Sequence, residues 1–320
     1  MSELRIAIVG CGRMGRERAR CARLLGARVA TVFDIDGVRS HELASVCGAM
    51  AAQSIDECFA SGLDALLLCT APGMRGPVER ECIARSLPFF VEKPIGTSFE
   101  QCVDLLSALE SKPVLNGVGY MNRYRGTVLL ACEILSRAET IGFSAHWVGK
   151  RYHVPWWQDE QFSGGPHNEQ ATHLFDLSRF LIGEVAEVES SFSGSSRAAS
   201  LLRLETGVLG TAFYSCDGSE KDIGIRVFTT QGSLVLSGWD FAIAQNTIDG
   251  RLSSSHGEDI FLIETGAFLQ AVRSGDQSLV RSSLPDAART QCVLDAARQS
   301  GHVGHFVTVK PCGRSVLCEA

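Results

Sequence analysis

Three short stretches hold residue types whose spacing could do chemistry. In Gly10-Cys11-Gly12-Arg13-Met14-Gly15, Gly10 permits a tight turn, Gly12 lets bare backbone approach a bound group, and Gly15 lets a helix sit close on its strand. The first N–H groups of such a helix have no intrahelical acceptor, and the helix dipole adds positive potential. A loop of this kind suits a pyrophosphate, with Arg13 and Met14 beside it. Asp34 ends the next apolar run, roughly 20 residues on, where a carboxylate accepts from the hydroxyls of an adenosine ribose. Together these residues predict a dinucleotide site. A carboxylate would repel a 2′-phosphate, so Asp34 favours NAD. NADP is not excluded, because Arg39 could reach such a phosphate, or could simply be an exposed helix arginine.

The second stretch is Phe89-Phe90-Val91-Glu92-Lys93-Pro94. It places a lysine at the carboxyl end of an apolar run, and Pro94 holds Lys93 out of the helical region. A partly desolvated ammonium is a strong donor with a tunable pKa. Glu92 could hold that lysine or contact the nicotinamide ribose. Thr70 and Pro72 end another apolar run, at the sheet edge where open α/β folds bind ligands. They are candidate cofactor contacts, or turn residues.

The third stretch follows Gly164-Gly165-Pro166. If it is helical from Pro166, Glu169, His173 and Asp176 share one face. A carboxylate neighbour raises a histidine's pKa and fixes its tautomer, which suits proton exchange near neutral pH. Asn122 sits just past the last strand of the first series and could line a cleft. Trp156 and Trp157, after Pro155, offer aromatic faces to a sugar ring or a flat cyclic substrate, or pack in the core. His153, His167, Glu169 and His173 lack a tight metal-ligand spacing, so no metal is expected.

The elements that must position these residues fall into two series. Apolar runs at 4–9, 28–33, 65–70, 88–91 and 113–118 alternate with helical stretches. This is the pattern of a parallel sheet covered by helices, and a short extra strand near 49–52 is weakly signalled. After a helix at 127–137 come strand-like runs at 143–148, 188–192, 200–204, 209–215, 223–229 and 233–236. Thr206-Gly207 marks a hairpin between two of them. They make a mainly antiparallel sheet, interrupted by a helix at 166–181 and followed by helices at 258–273 and 286–299. The predicted fold is α/β, with a Rossmann domain at 1–120 and a substrate and oligomerisation domain at 121–320. At roughly 150 residues per domain, a 320-residue chain fits two.

The glycine loop, Asp34, Thr70-Ala71-Pro72 and above all Glu92-Lys93-Pro94 resemble the glucose–fructose oxidoreductase / inositol dehydrogenase / rhizopine-catabolism (Gfo/Idh/MocA) family. The resemblance implies an N-terminal Rossmann domain, a C-terminal α/β domain with an open antiparallel sheet, and a lysine that assists at the reacting carbon, often before a cis proline. Arg123 matches an arginine common at its position and becomes a candidate for lining the cleft. His173 and Asp176 match the family's helix signature. Glu169 stands where an aspartate is usual, and Asp176 is read as supporting. The histidine often found a few residues after the threonine-x-proline is missing from Pro72-Gly73-Met74-Arg75-Gly76.

The net charge of −6 argues against nucleic acid as a partner. No apolar run approaches the roughly 20 residues that span a bilayer. With no basic-then-apolar leader and 12 scattered cysteines lacking any Cys-x-x-Cys, the chain reads as cytoplasmic with mostly buried thiols. The expected activity is hydride transfer between a nicotinamide and a sugar, cyclitol or related carbonyl or imine compound, with Lys93 polarising and His173 exchanging the proton. Two alternatives stay open. One is elimination or epimerisation on tightly held NAD, and the other a non-catalytic NAD(P)-sensing protein. An open sheet needs one face covered, which predicts a homodimer or homotetramer. The Asp34 assignment has a direct consequence: kcat/KM with NADH should exceed that with NADPH, and equal or better efficiency with NADPH in steady-state assays would overturn it.

Overall fold

The computed structural model describes residues 3–60 and 62–310. The chain divides into two compact units, one of Met1–Gly96, Glu100–Met121 and Asp259–Asp286, the other of Thr97–Phe99, Asn122–Glu258 and Ala287–Ala320. The second unit is therefore not the continuous stretch 121–320. The helix Ile260–Ser274 returns to the first unit because Phe268, Leu269 and Ala271 complete its core.

The first unit is built on strands β1 (Arg5–Val9), β2 (Arg28–Phe33), β3 (Met50–Ala51), β4 (Ala65–Leu68), β5 (Phe89–Val91) and β6 (Asn116–Val118). They lie in the order β3-β2-β1-β4-β5-β6, and every pairing is parallel. This is the doubly wound dinucleotide-binding topology, whose order reverses between β1 and β4. Strand β4 is buried at every residue, which is why these strands read as continuous apolar runs rather than alternating ones. The weakly signalled extra strand forms as β3. The last strand is shorter than expected because, at the sheet edge, it pairs only with the three residues of β5.

One buried cation organises this unit. Arg18, on the helix Arg13–Leu24, has no exposed surface. Its Nε donates to Glu92 Oε1 at 2.7 Å, its Nη2 to Glu264 Oε2 at 2.5 Å and its Nη1 to Thr265 Oγ1 at 2.9 Å. The guanidinium also lies 4.5 Å from the ring centre of Phe90. The glycine-loop helix, the end of β5 and the returning helix are thereby joined through one side chain. A Cβ on Gly119 would stand 2.9 Å from Glu92 Oε2 and 3.2 Å from Arg18 Nη2, so only glycine leaves room for the pair.

The second unit holds β7 (Thr140–Lys150), β8 (Val185–Phe192), β9 (Arg197–Leu204), β10 (Leu209–Ser215), β11 (Asp217–Thr229), β12 (Gly232–Ser237), β13 (Ile243–Asn246), β14 (Leu252–Ser254) and β15 (Val307–Thr308). Their order is β14-β13-β12-β11-β7-β10-β9-β8-β15. The sheet is antiparallel except where β10 runs parallel to β7. The expected hairpin forms between β9 and β10, with Gly207 at φ +85°. Alternation is clean in β9, where Ala198, Ser200, Leu202 and Leu204 point inward. The inner face packs with the helices Gly126–Leu135, Gly165–Leu181 and Leu284–Val303 around Trp147, Leu174, Phe175 and Leu294. Strands β13 to β15, too short and too polar to stand out as apolar runs, were not foreseen. No helix among the described residues is long and apolar enough to cross a membrane, and no described cysteine is in a disulfide.

Arg18→Ala would strand two buried carboxylates, so a loss of about 3–5 kcal/mol is expected in urea unfolding. A loss below about 1 kcal/mol would show that water or neighbouring groups replace the guanidinium.

Candidate active site

In the first unit, the three loop glycines do what their spacing requires. Gly10 adopts φ +91°, and a Cβ there would lie 2.7 Å from the Cys69 carbonyl carbon at the end of β4. A Cβ on Gly15 would collide with the Gly10 carbonyl oxygen, while one on Gly12 would meet nothing within 4 Å. Gly12 therefore faces open space at the start of the helix Arg13–Leu24, whose N-cap carries no side-chain hydrogen bond. Such a start leaves N–H groups for an anion. Arg13 is exposed and Met14 half-buried. The loop cysteine is inert, since burial and then Asp34 push the Cys11 thiol up to about 12.

Asp34 closes the loop. Its Oδ2 accepts from the Cys11 N–H at 2.6 Å and its Oδ1 from the Asp36 N–H at 2.9 Å. The carboxylate thus stands at the end of β2 against the glycine turn, as the sequence placed it. Arg39 is exposed and pairs with Asp36 at 3.1 Å, the plainer of its two readings.

At the ends of β4 and β5 the expected contacts acquire protein partners. Thr70 Oγ1 accepts from Arg75 at 3.1 Å, and Pro72 is buried at the start of a short 3-10 turn. Glu92 was expected to hold Lys93 or to meet a ribose. The residue is buried, and its carboxylate is instead held by Arg18. Lys93 is half-buried, and the Lys93–Pro94 peptide is cis, the form that the family resemblance implies.

In the second unit the helix Gly165–Leu181 forms as expected, entered through Gly164 at φ +73° and Gly165 at φ +82°. From Gly165 to Arg179 every residue is buried, so its many polar groups need partners. His173 lies flat on Trp147, ring centres 4.7 Å apart and planes 10° from parallel. Glu169, one turn earlier, is 7 % exposed. Asp176 finds its partners within the second unit. Its Oδ1 and Oδ2 accept from Arg123 Nη2 at 2.6 Å and Nε at 3.1 Å, and Thr290 Oγ1 lies 3.3 Å away. Arg123, a candidate for lining the cleft, and Asp176, read as supporting, pair with each other, because two such charges buried in one unit must neutralise locally. Asn122 is buried and accepts from Arg125 Nε at 3.1 Å. Of the tryptophan pair, Trp157 is packed in the core edge-on to Tyr152, and Trp156 is 39 % exposed.

Four important residues were missed: Arg18, Arg75, Trp147 and Glu264. Arg18 sits with Gly15, Ala19 and Ala22 on the buried face of its helix. Glu264 is the one acid in Ile260-Phe261-Leu262-Ile263-Glu264-Thr265-Gly266-Ala267-Phe268-Leu269. A lone charge on an apolar helix face signals a buried pair, but not its partner.

A parallel six-stranded unit with a glycine loop at its switch point, and a second unit presenting a buried helix with two histidines and two carboxylates, define a two-unit protein of the doubly wound, dinucleotide-binding topology. Residues 4–120 match a family model described as "Oxidoreductase family, NAD-binding Rossmann fold", and residues 139–235 match the "GFO/IDH/MocA C-terminal domain". The chain belongs to the Gfo/Idh/MocA oxidoreductase family. Among curated relatives, an inositol 2-dehydrogenase of Arthrobacter sp. (strain FB24) is 28% identical over 191 residues, 57% of this chain and 55% of that protein. The match therefore spans little more than half the relative's length. Inositol 2-dehydrogenase 2 of Mycolicibacterium vanbaalenii is 26% identical over 277 residues, 83% of this chain and 76% of that one. Among solved structures, levoglucosan dehydrogenase in complex with NADH and L-sorbose superposes with a TM-score of 0.88 at 16% identity, covering 97% of this chain and 100% of that one.

The other buried histidine of the same helix has a different character. His167 meets Phe192, Phe175 and Tyr214 edge-on at 5.0, 5.9 and 5.9 Å, and its Nδ1 has no protein partner. Burial first, and Arg298 second, hold its pKa down to about 3. A histidine kept neutral in the fold contributes stability that is whole above its unfolded pKa of about 6.5 and is lost as pH falls below it. From pH 7.5 to 5.5 the wild type should lose about 1.4 kcal/mol more than His167→Phe in urea unfolding. Equal losses in the two proteins would refute the assignment.

Proposed function

We propose that the protein is an NAD-dependent oxidoreductase acting on a sugar, cyclitol or related carbonyl or imine compound. The observation that carries this reading is the loop geometry. Gly12 faces open space at a helix start without a side-chain cap, and Asp34 is hydrogen-bonded to the same loop. These residues fit a pyrophosphate and an adenosine ribose. Family membership supports the redox chemistry, and the named activities of the inositol and levoglucosan enzymes support a polyol or sugar substrate. NADP is a weaker fit, because Arg39 is already paired with Asp36.

Bound NAD would supply the carbon that takes or gives the hydride. In this reading Lys93 donates a hydrogen bond to the substrate oxygen or nitrogen and stabilises negative charge as it develops there. His173 exchanges the proton at that atom, its ring held in plane by Trp147. Glu169 tunes His173 or binds a substrate hydroxyl. Arg123 and Asp176 keep the helix in register rather than touching substrate, and exposed Trp156 is the aromatic candidate for a sugar face.

The outer face of the second unit's sheet supports self-association. Ile141, Leu209 and Phe213 are 59%, 48% and 42% exposed on β7 and β10, an apolar surface suited to a second copy. A dimer or tetramer is expected by light scattering at micromolar concentration, and a strict monomer would contradict it.

Spectrophotometric assays with NAD(H) against sugars, cyclitols, ketones and imines test the activity. With the best panel compound, Lys93→Ala and His173→Ala should each lower kcat by about 100-fold or more and leave NADH binding nearly intact. Near-normal turnover in both variants would refute these roles.

A further inference from the structure

Arg75 lies in the turn after β4 and is 4 % exposed. Its Nη2 donates to the Glu92 carbonyl oxygen at 2.8 Å. Its Nη1 donates to Thr70 Oγ1 at 3.1 Å and, more weakly, to the Leu68 carbonyl at 3.4 Å. One guanidinium therefore spans the carboxyl ends of two adjacent strands, β4 and β5, which pair through Leu68 and Val91. The turn that carries Arg75 is itself held. Gln101 Nε2 donates to the Pro72 and Arg75 carbonyls at 3.1 and 3.2 Å, and buried Glu79 accepts from the Gly76 N–H at 2.8 Å.

The Glu92 carbonyl belongs to the peptide that joins Glu92 to Lys93. Fixing that oxygen fixes the plane from which Lys93 departs, while Arg18 fixes the Glu92 carboxylate at 2.7 Å. Residue 92 is thus gripped by its main chain and by its side chain, from two buried cations. A desolvated arginine is costly to place, and an aliphatic side chain would fill the same volume. What arginine adds is a planar fork of charge-assisted donors that no lysine or apolar residue reproduces.

We propose that Arg75 is a positioning residue for Lys93, holding the β4 and β5 ends in the spacing that sets the lysine's approach to the reacting atom. The proposal rests on the reading of Lys93 given above. A displacement of about 1 Å in a reacting group can cost on the order of 100-fold in rate, so loss of the fork should appear in kcat rather than in cofactor affinity.

A double-mutant cycle tests it, with the fastest panel compound as substrate and NADH fluorescence as the binding readout. Arg75→Lys keeps the charge but not the fork. It should lower kcat by about 10-fold or more while the NADH Kd moves less than about 3-fold. In the Lys93→Ala background the same change should leave residual kcat within about 2-fold, because no lysine remains to be placed. An equal kcat loss in both backgrounds, or an Arg75→Lys protein that no longer binds NADH, would overturn the proposal and leave Arg75 a purely structural residue. Near-normal turnover in Lys93→Ala would instead overturn the role of Lys93, and the positioning role with it.

Discussion

The first unit depends on a guanidinium that has no water. Arg18 is fully buried between Glu92 and Glu264, and each of the three groups would be strongly penalised alone. Together they offset part of one another's burial cost, one guanidinium shared between two carboxylates, and the geometry they demand is narrow. The glycine-loop helix, the end of β5 and the helix Ile260–Ser274 must all arrive at one point. That requirement explains Gly119, whose missing side chain leaves the pair its room. It also draws Glu264 and Thr265 from a segment far along the chain, whose apolar residues complete the first unit's core.

The same physics recurs in the second unit with different partners. The helix Gly165–Leu181 is buried along almost its whole length, so its polar residues sort by what they can reach. Asp176 finds Arg123 and Thr290. Asn168 accepts from Gln291 at 3.0 Å and donates to the Ser163 carbonyl at 2.9 Å. His167 is enclosed by aromatic rings and stays neutral, whereas His173 lies against one indole face. Two histidines six residues apart on one helix thus occupy unlike surroundings, and only the second shares a face with Glu169.

Much of the fold was legible because its signals are local. Doubly buried strands write themselves as apolar runs, and the Gly10–Gly15 spacing states a turn, an approach and a close packing that the backbone obeys. The weak edges were not legible. Strands β13 to β15 are short and partly polar, and β11 begins at Asp217 in Asp217-Gly218-Ser219-Glu220-Lys221-Asp222, which no apolar pattern marks. The continuous second domain was misread for a related reason. An amphipathic helix shows that it has an apolar face, but not which core that face will join.

By itself the sequence determined the glycine turn before the first helix, the acid at the end of β2, the lysine before proline and the face shared by Glu169 and His173, since each follows from spacing along a single turn, strand or helix. Only the tertiary structure decided where the charges settle. It gave Glu92 to Arg18, Asp176 to Arg123, and the Glu92 carbonyl to Arg75. Ion pairing acts across space between residues remote in the chain, and a buried charge takes whichever partner the packing brings within hydrogen-bond reach.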